Sequence, residues 1–297
     1  MDRSFKTVHC DDLDAAIAEY NVAGYHLDMI SPADAPTRAL LSKNGEEILL
    51  QLQKPSHEQS GEWIVGRAGM EYRDLLPGRL NGRLIASHIR LTTGGEVPDY
   101  VHFHKVQFQL IYCVAGAIKV VYEDQGPPFW LVPGDCVLQP PEIRHRVLEA
   151  EAGSEVIELG VPAVHETWIE HDIKLPTATL EIDREYGGQR FLRHIAADAA
   201  WTDQGSRGCS TCVTANAEAT GGFADVVVLR VSEKQTVPMA VSEGYCFLYC
   251  LNGEIGVLSV GGTITLTRGS AFVFSENAEI QSVSPTTELL AVSLPII

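Results

Sequence analysis

Between Arg83 and Val161 the chain is a succession of short apolar or alternating runs, each closed by turn residues. The pattern predicts strands at Arg83–Leu91, Val101–His104, Phe108–Val114, Ala117–Tyr122, Phe129–Val132, Cys136–Gln139, Arg146–Glu149 and Val156–Val161. Gly94-Gly95, Ala115-Gly116, Gly126-Pro127-Pro128, Pro133-Gly134 and Pro140-Pro141 supply the turns. Strands this dense, with no helical period between them, predict a barrel or sandwich rather than βαβ units. A fainter copy follows at Asp225–Val231, Tyr245–Leu251, Glu254–Val260, Thr263–Leu266, Ala271–Phe274 and Leu289–Leu294, with turns at Asn252-Gly253 and Arg268-Gly269. The N-terminal stretch differs. A strand at Lys6–Cys10 leads into an Asp-capped helical run, Asp11–Tyr20, and then into strands at Tyr25–Ile30, Thr37–Leu41 and Glu47–Gln53, the order βαβββ.

Four polar side chains interrupt the first set of strands at positions that a barrel would bring together. His102 and His104 are two apart, so both imidazoles leave one face of a strand. Gln109 opens the apolar run Gln-Leu-Ile-Tyr-Cys-Val, and His145 follows the Pro140-Pro141 stop. One such histidine alone reads as a hydrogen-bonded core residue; the joint spacing of His102, His104, Gln109 and His145 points to a metal site. A glutamine oxygen brings no charge, so this set would leave the ion its full positive charge. The alternative is that Gln109 turns away and three histidines remain.

These residues resemble the two cupin signatures, H-x-H-x(3,4)-E-x(6)-G and G-x(5)-P-x-G-x(2)-H. His102, His104 and Gly116 match the first, and Gly134, Pro140 and His145 match the second. Gln109 stands where glutamate is usual, Glu142 where glycine is usual, and Gly95 precedes His102 by seven positions instead of six. Placing Gly253 on Gly116 and Gly269 on Gly134 puts Met239, Val241, Cys246 and Ile280 at the four ligand positions of the second copy. The resemblance therefore implies a mainly β bicupin, two tandem double-stranded β-helix (jelly-roll) barrels, of which only the first keeps a metal. His9, Asp12-Leu13-x-x-Ala16 and Gly24-Tyr25 resemble one module of the glyoxalase/vicinal-oxygen-chelate superfamily. The expected organisation is a glyoxalase-like module at 1–56, a linker at 57–82, a metal-binding cupin barrel at 83–177 and a degenerate one at 178–297.

Imidazole suits several divalent ions. The expectation is one ion per chain, iron(II) favoured, with zinc, nickel or manganese as the others. Three-histidine cupins include iron dioxygenases, while cupins of uronate metabolism carry glutamine at the glutamate position. The leading expectation is thus a mononuclear non-haem enzyme of dioxygenase type acting on a small polar chelating substrate. The alternatives are a Lewis-acid isomerase, lyase or hydrolase for sugar acids or carboxylates, and a non-catalytic sensor. Candidate catalytic groups are Arg144, Glu142, His88, Arg90 and Tyr100, although the neighbour rule turns Arg144 away from His145 and the apolar Ile85, Ile89 and Leu91 turn His88 and Arg90 outward. Cys209, Cys212, Cys246 and Cys250 offer zinc-like spacings but read mainly as small core residues, as does Cys113.

With 39 acidic and 22 basic residues, net −17, the chain lacks the basic footprint of a nucleic-acid binder and suits anionic membranes no better. No long apolar span or leader is evident, so the cytoplasm is the expected location and the seven cysteines are expected as thiols. A degenerate barrel and a lone N-terminal module both have faces to cover, which predicts a homodimer.

Overall fold

The computed structural model describes residues 6–53, 61–205, 208–215, 218–232, 234–241 and 243–296. At the N-terminus Asp12 caps a helix, Leu13–Val22, its carboxylate accepting from the Ala15 N–H at 2.9 Å. Strands His26–Ser31, Arg38–Lys43 and Glu46–Leu52 run antiparallel in turn, and Lys6–Cys10 pairs parallel with Glu46–Leu52. Leu13 packs with Ile30, Leu41, Ile48 and Leu50 under the helix. This is the βαβββ order read from the sequence. The segment is not detached, however: His26–Ser31 pairs with Thr167–Ile169, which pairs with His102–His104.

The first jelly roll is two facing sheets. One continues from His102–His104 through His145–Ala150 and Ile118–Tyr122 to Phe129–Leu131 and, with the N-terminal strands and Gly95–Glu96, has ten strands. The other runs Leu192–His194, Cys136–Leu138, Phe108–Ala115, Ser154–Val161, Ile85–Leu91, Glu71–Asp74, Trp63–Val65. The stretch 57–82, expected as a linker, therefore carries two strands of this sheet. They are short and broken by Gly66 and Gly69, which reads as loop along the chain, yet they bury Met70 and Tyr72 inside. The expected boundary at 56/57 lies outside the described residues. Leu192–His194 pairs with Cys136–Leu138, so the chain beyond 178 still completes the first unit.

The second jelly roll repeats the first. Thr236–Met239, Ala278–Ser282, Glu254–Ser259 and Gly262–Thr267 keep the order of the histidine-bearing sheet, and Ala271–Phe274, Tyr245–Asn252, Thr286–Leu294, Asp225–Ser232 and Cys209–Ala215 that of its partner. Tyr112-Cys113 before Gly116 recurs as Tyr249-Cys250 before Gly253, each with a bulge after the cysteine. Both glycines have positive φ, and an added Cβ would lie 2.8 Å from Ser154 Cα at Gly116 and 2.8 Å from the Thr286 carbonyl oxygen at Gly253.

The unbroken apolar character of these strands follows from burial on both faces. Phe108, Leu110 and Tyr112 face the second jelly roll and share a core with Phe247, Tyr249, Leu290 and Val292. Gln109, Ile111 and Cys113, on the opposite parity, face the interior of the first. Two residue sets on one strand thus serve two cores.

Candidate metal centre

His102 and His145 are register partners on adjacent strands, and His104 lies one pleat along from His102. The cluster is therefore fixed by sheet pairing rather than by a loop. All three histidines are buried, and their ligand nitrogens lie within 4.8 Å of one another, the one such cluster of histidine, cysteine or carboxylate side chains among the described residues. Each ring is held from behind. His102 Nδ1 donates to the Tyr100 carbonyl at 2.8 Å and His145 Nδ1 to the Ile143 carbonyl at 3.0 Å, since a carbonyl can only accept. His104 Nδ1 meets the Thr167 hydroxyl at 2.8 Å, and Asp99 lies 3.6 Å from His102 Nδ1. With Nδ1 engaged in each ring, Nε2 is the nitrogen each imidazole could offer an ion, and that of His145 meets the Gln139 amide in this structure.

The facing sheet supplies an amide and a carboxylate. Gln109 Nε2 donates to Glu158 Oε1 at 2.6 Å, so the amide oxygen is the atom Gln109 has to offer an ion. Both side chains are buried and line the same cavity as the three histidines. Gln139 lies 2.9 Å from His145 Nε2, and the Tyr122 ring stacks on His145 at 5.5 Å between centroids. Burial raises the Tyr122 hydroxyl far above the usual phenol range, so it stays protonated. Apolar side chains complete the wall, among them Met70 and Tyr72 from the presumed linker and Ala33 from the N-terminal segment. Ala33 is held there because its neighbour Asp34 forms a buried ion pair with Arg79, which also binds Asp74 at 2.6 Å.

Three imidazoles braced from behind and the Gln109 amide, in a cavity that also holds Gln139 and Glu158, fit a single divalent ion. Sequence reasoning named the four residues that the structure brings to one cavity and did not name Glu158, Gln139 or Thr167 beside them. Glu158 did carry a signal, as the one charged residue inside the apolar run Val156–Val161.

The candidate catalytic groups lie elsewhere. Arg144 pairs with Glu170 at 3.2 Å and covers the Phe103 ring, on the outer face that alternation assigns it. Glu142 is exposed with φ 63°, which explains why a glycine is usual there. His88 and Arg90 point away from the cavity that Ile89 and Leu91 line: His88 bridges Arg73 at 3.1 Å and Glu155 at 2.9 Å, and Arg90 pairs with Glu71 over the Trp63 ring. Tyr100 supplies its carbonyl to His102, and its ring packs edge-on against the His102 imidazole at 5.9 Å and borders a neighbouring groove. The cysteines do not assemble a site. Cys209, Cys246 and Cys250 pack in the core of the second jelly roll, Cys212 in the core between the two, and burial pushes the Cys113 thiol up to about 12. His9 is exposed on the edge strand.

No family model matches the sequence, and no curated protein matches it. The likeness is to solved structures: the architecture is that of a bicupin. Oxalate decarboxylase from Bacillus subtilis superposes with a TM-score of 0.59 at 12% identity, covering 80% of this chain and 75% of that one. The formate complex of the Lactobacillus farciminis oxalate decarboxylase gives 0.58 at 12% identity over 81% and 85%. A further structure of the Bacillus subtilis enzyme, TM-score 0.57 at 11% identity, is described by its Mn(II) centres. No described helix is long and apolar enough to cross a membrane.

Proposed function

We propose that the chain is a mononuclear metal-dependent enzyme whose first jelly roll carries out proton transfer on a small chelating substrate, in the manner of a lyase or isomerase. The observation that supports it is the buried carboxylate of Glu158, set in the same cavity as His102, His104, His145 and Gln109. A bound divalent ion would act as a Lewis acid on a substrate oxygen. The three imidazoles and the Gln109 oxygen would hold it without adding charge. Glu158 would take up a proton from the substrate at one carboxylate oxygen and return it, while its other contact keeps the Gln109 amide oriented. The apolar walls exclude water from that exchange. Oxalate decarboxylases, the structural neighbours, act by their name on a small chelating carboxylate and support chemistry of this kind.

The oxygen-using reading keeps the same residues and draws on the apolar cavity, which suits dioxygen. It requires turnover that stops without air and is best supported by iron(II). The N-terminal βαβββ segment, with its glyoxalase-like motif, serves in this proposal as a wall through Ala33, and a homodimer is the working assembly, to be checked by light scattering.

The test is metal analysis of protein purified without chelators or a histidine tag. Near one ion per chain is expected, lost in His145→Ala and kept in Glu158→Gln, while turnover in Glu158→Gln falls about 10²–10⁴-fold. A metal-free wild type, or full turnover in Glu158→Gln, would sink the reading.

A further inference from the structure

At the seam between the two jelly rolls each unit presents the same strands to the other, and the two ends of the seam are filled differently. At one end Tyr249 of the second unit lies against His88 of the first, the ring centroids 6.1 Å apart. Arg73 donates to the Gly269 carbonyl at 3.0 Å and lies 3.1 Å from His88 Nδ1, and His88 Nε2 reaches Glu155 at 2.9 Å. Strand register carries these positions to the other end. Tyr112 beside Ile157 stands for Tyr249 beside Leu290, and Gly134 stands for Gly269. Where Arg73 pairs with His88 at one end, Cys212 pairs with Val228 at the other. Glu288 opposite Arg230 stands for Glu155 opposite Arg90, and each arginine covers a tryptophan, Trp201 at 3.7 Å and Trp63 at 4.0 Å.

A guanidinium and an imidazole at one end are thus answered by a thiol and an isopropyl group at the other, where a cleft of about 250 Å³ opens. Its polar lining is made mostly of acceptors. Tyr112 is 4% exposed, and its hydroxyl has no hydrogen-bond partner among the described residues. No described side chain donates to the Gly134 carbonyl as Arg73 does to that of Gly269. Burial holds the His194 pKa below its ordinary value, although Asp135 acts the other way, so the ring is neutral and carries a bare nitrogen. Asp135 also brings a carboxylate where the filled end has Ser270. Arg230, the one cation of the described lining, is engaged by Glu288 at 2.6 Å.

We propose that this cleft binds a small organic monocation with a flat, N–H-bearing head, a guanidinium or amidinium group, in the place that Arg73 holds at the other end. The head donates to the Gly134 carbonyl and the Tyr112 hydroxyl oxygen, with Glu288 balancing its charge. Its remainder lies against Val228, Leu251 and Ala199. The site is independent of the metal centre, because Tyr112 and Gln109 leave opposite faces of one strand.

The experiment is calorimetric titration of the full-length protein with three probes of closely similar shape, benzamidinium, benzamide and benzoate, with a chelator present so that no probe can ligate an ion. Benzamidinium is expected to bind with a Kd on the order of 1 mM or tighter and about tenfold more tightly than benzamide, and benzoate not measurably. Tyr112→Phe, which removes one acceptor and keeps the ring, should weaken benzamidinium about three- to tenfold. Cys212→Arg, which returns a guanidinium to the register position of Arg73, should abolish its binding in a variant shown by circular dichroism to be folded. No benzamidinium binding to the wild type, benzamide or benzoate binding as tightly, or undiminished benzamidinium binding in Tyr112→Phe or in folded Cys212→Arg overturns the proposal.

Discussion

The two jelly rolls have the same strand order, the same Tyr-Cys-x-x-Gly turn and the same bulge, and differ in what fills the space between their sheets. In the first, His102, His104, Gln109 and His145 leave a cavity with a polar end. In the second, Cys246 and Ile280 are buried in a continuous apolar core, with Met239 and Val241 packed against it. The difference teaches that the same scaffold closes over an apolar core as well as over a polar cluster. The site is a local exchange of apolar core residues for polar ones, and an exchange of that kind forgoes apolar packing that the second unit retains.

The largest expected effect removes the distinction from the first side. His102→Ala should lower metal affinity by more than about a hundredfold while the second unit stays folded; metal analysis and circular dichroism check this, and retained metal would break the comparison. Approached from the other side, Ile280→His puts an imidazole into a core with no partner for it. A loss of about 2–4 kcal/mol is expected in denaturant titration, with no gain of metal.

Gln109→Glu sharpens the comparison within the first site. The new carboxylate would stand at hydrogen-bond distance from Glu158, where two negative charges repel and the original donor is gone. The metal-free protein should lose about 1–2 kcal/mol, and exchanging the pair, Gln109→Glu with Glu158→Gln, should recover most of it.

His88 tests the seam between the units, where it lies against Tyr249 and accepts from Arg73. Burial, with Arg73 and Arg90 nearby, holds its pKa below the usual imidazole value of 6.5. The unfolded chain then binds the proton more readily, so stability is fully present above pH 6.5 and falls as pH drops below it. In melts of the metal-free protein at pH 7.5 and 5.5, His88→Gln should lose less on acidification than the wild type. The smallest effect is Glu142→Gly, which relieves a left-handed backbone at the surface and should stabilise by up to about 1 kcal/mol without touching metal content.

Much of this was legible along the chain because strands alternate. The period of two places His102 with His104 and separates Arg144 from His145, and turn glycines fix where each strand stops. What was not legible depended on pairings distant in sequence. Glu158 meets Gln109 only because Ser154–Val161 lies beside Phe108–Ala115. Thr167 finds His104 only because Thr167–Ile169 joins the histidine strand. Trp63–Val65 and Glu71–Asp74 have too few residues for periodicity to show, and their strand character comes from the sheet edge they dock on.

The strand Phe108–Ala115 is a party wall, and this limits how the chain can be divided. Cutting after the first jelly roll would leave Phe108, Leu110, Tyr112, Ile157 and Leu159 facing water as one flat apolar field, a surface that invites self-association. The histidine-bearing half, produced by itself, is therefore expected to self-associate. Its silent twin acts as a built-in chaperone for the outer face of the strand that presents Gln109.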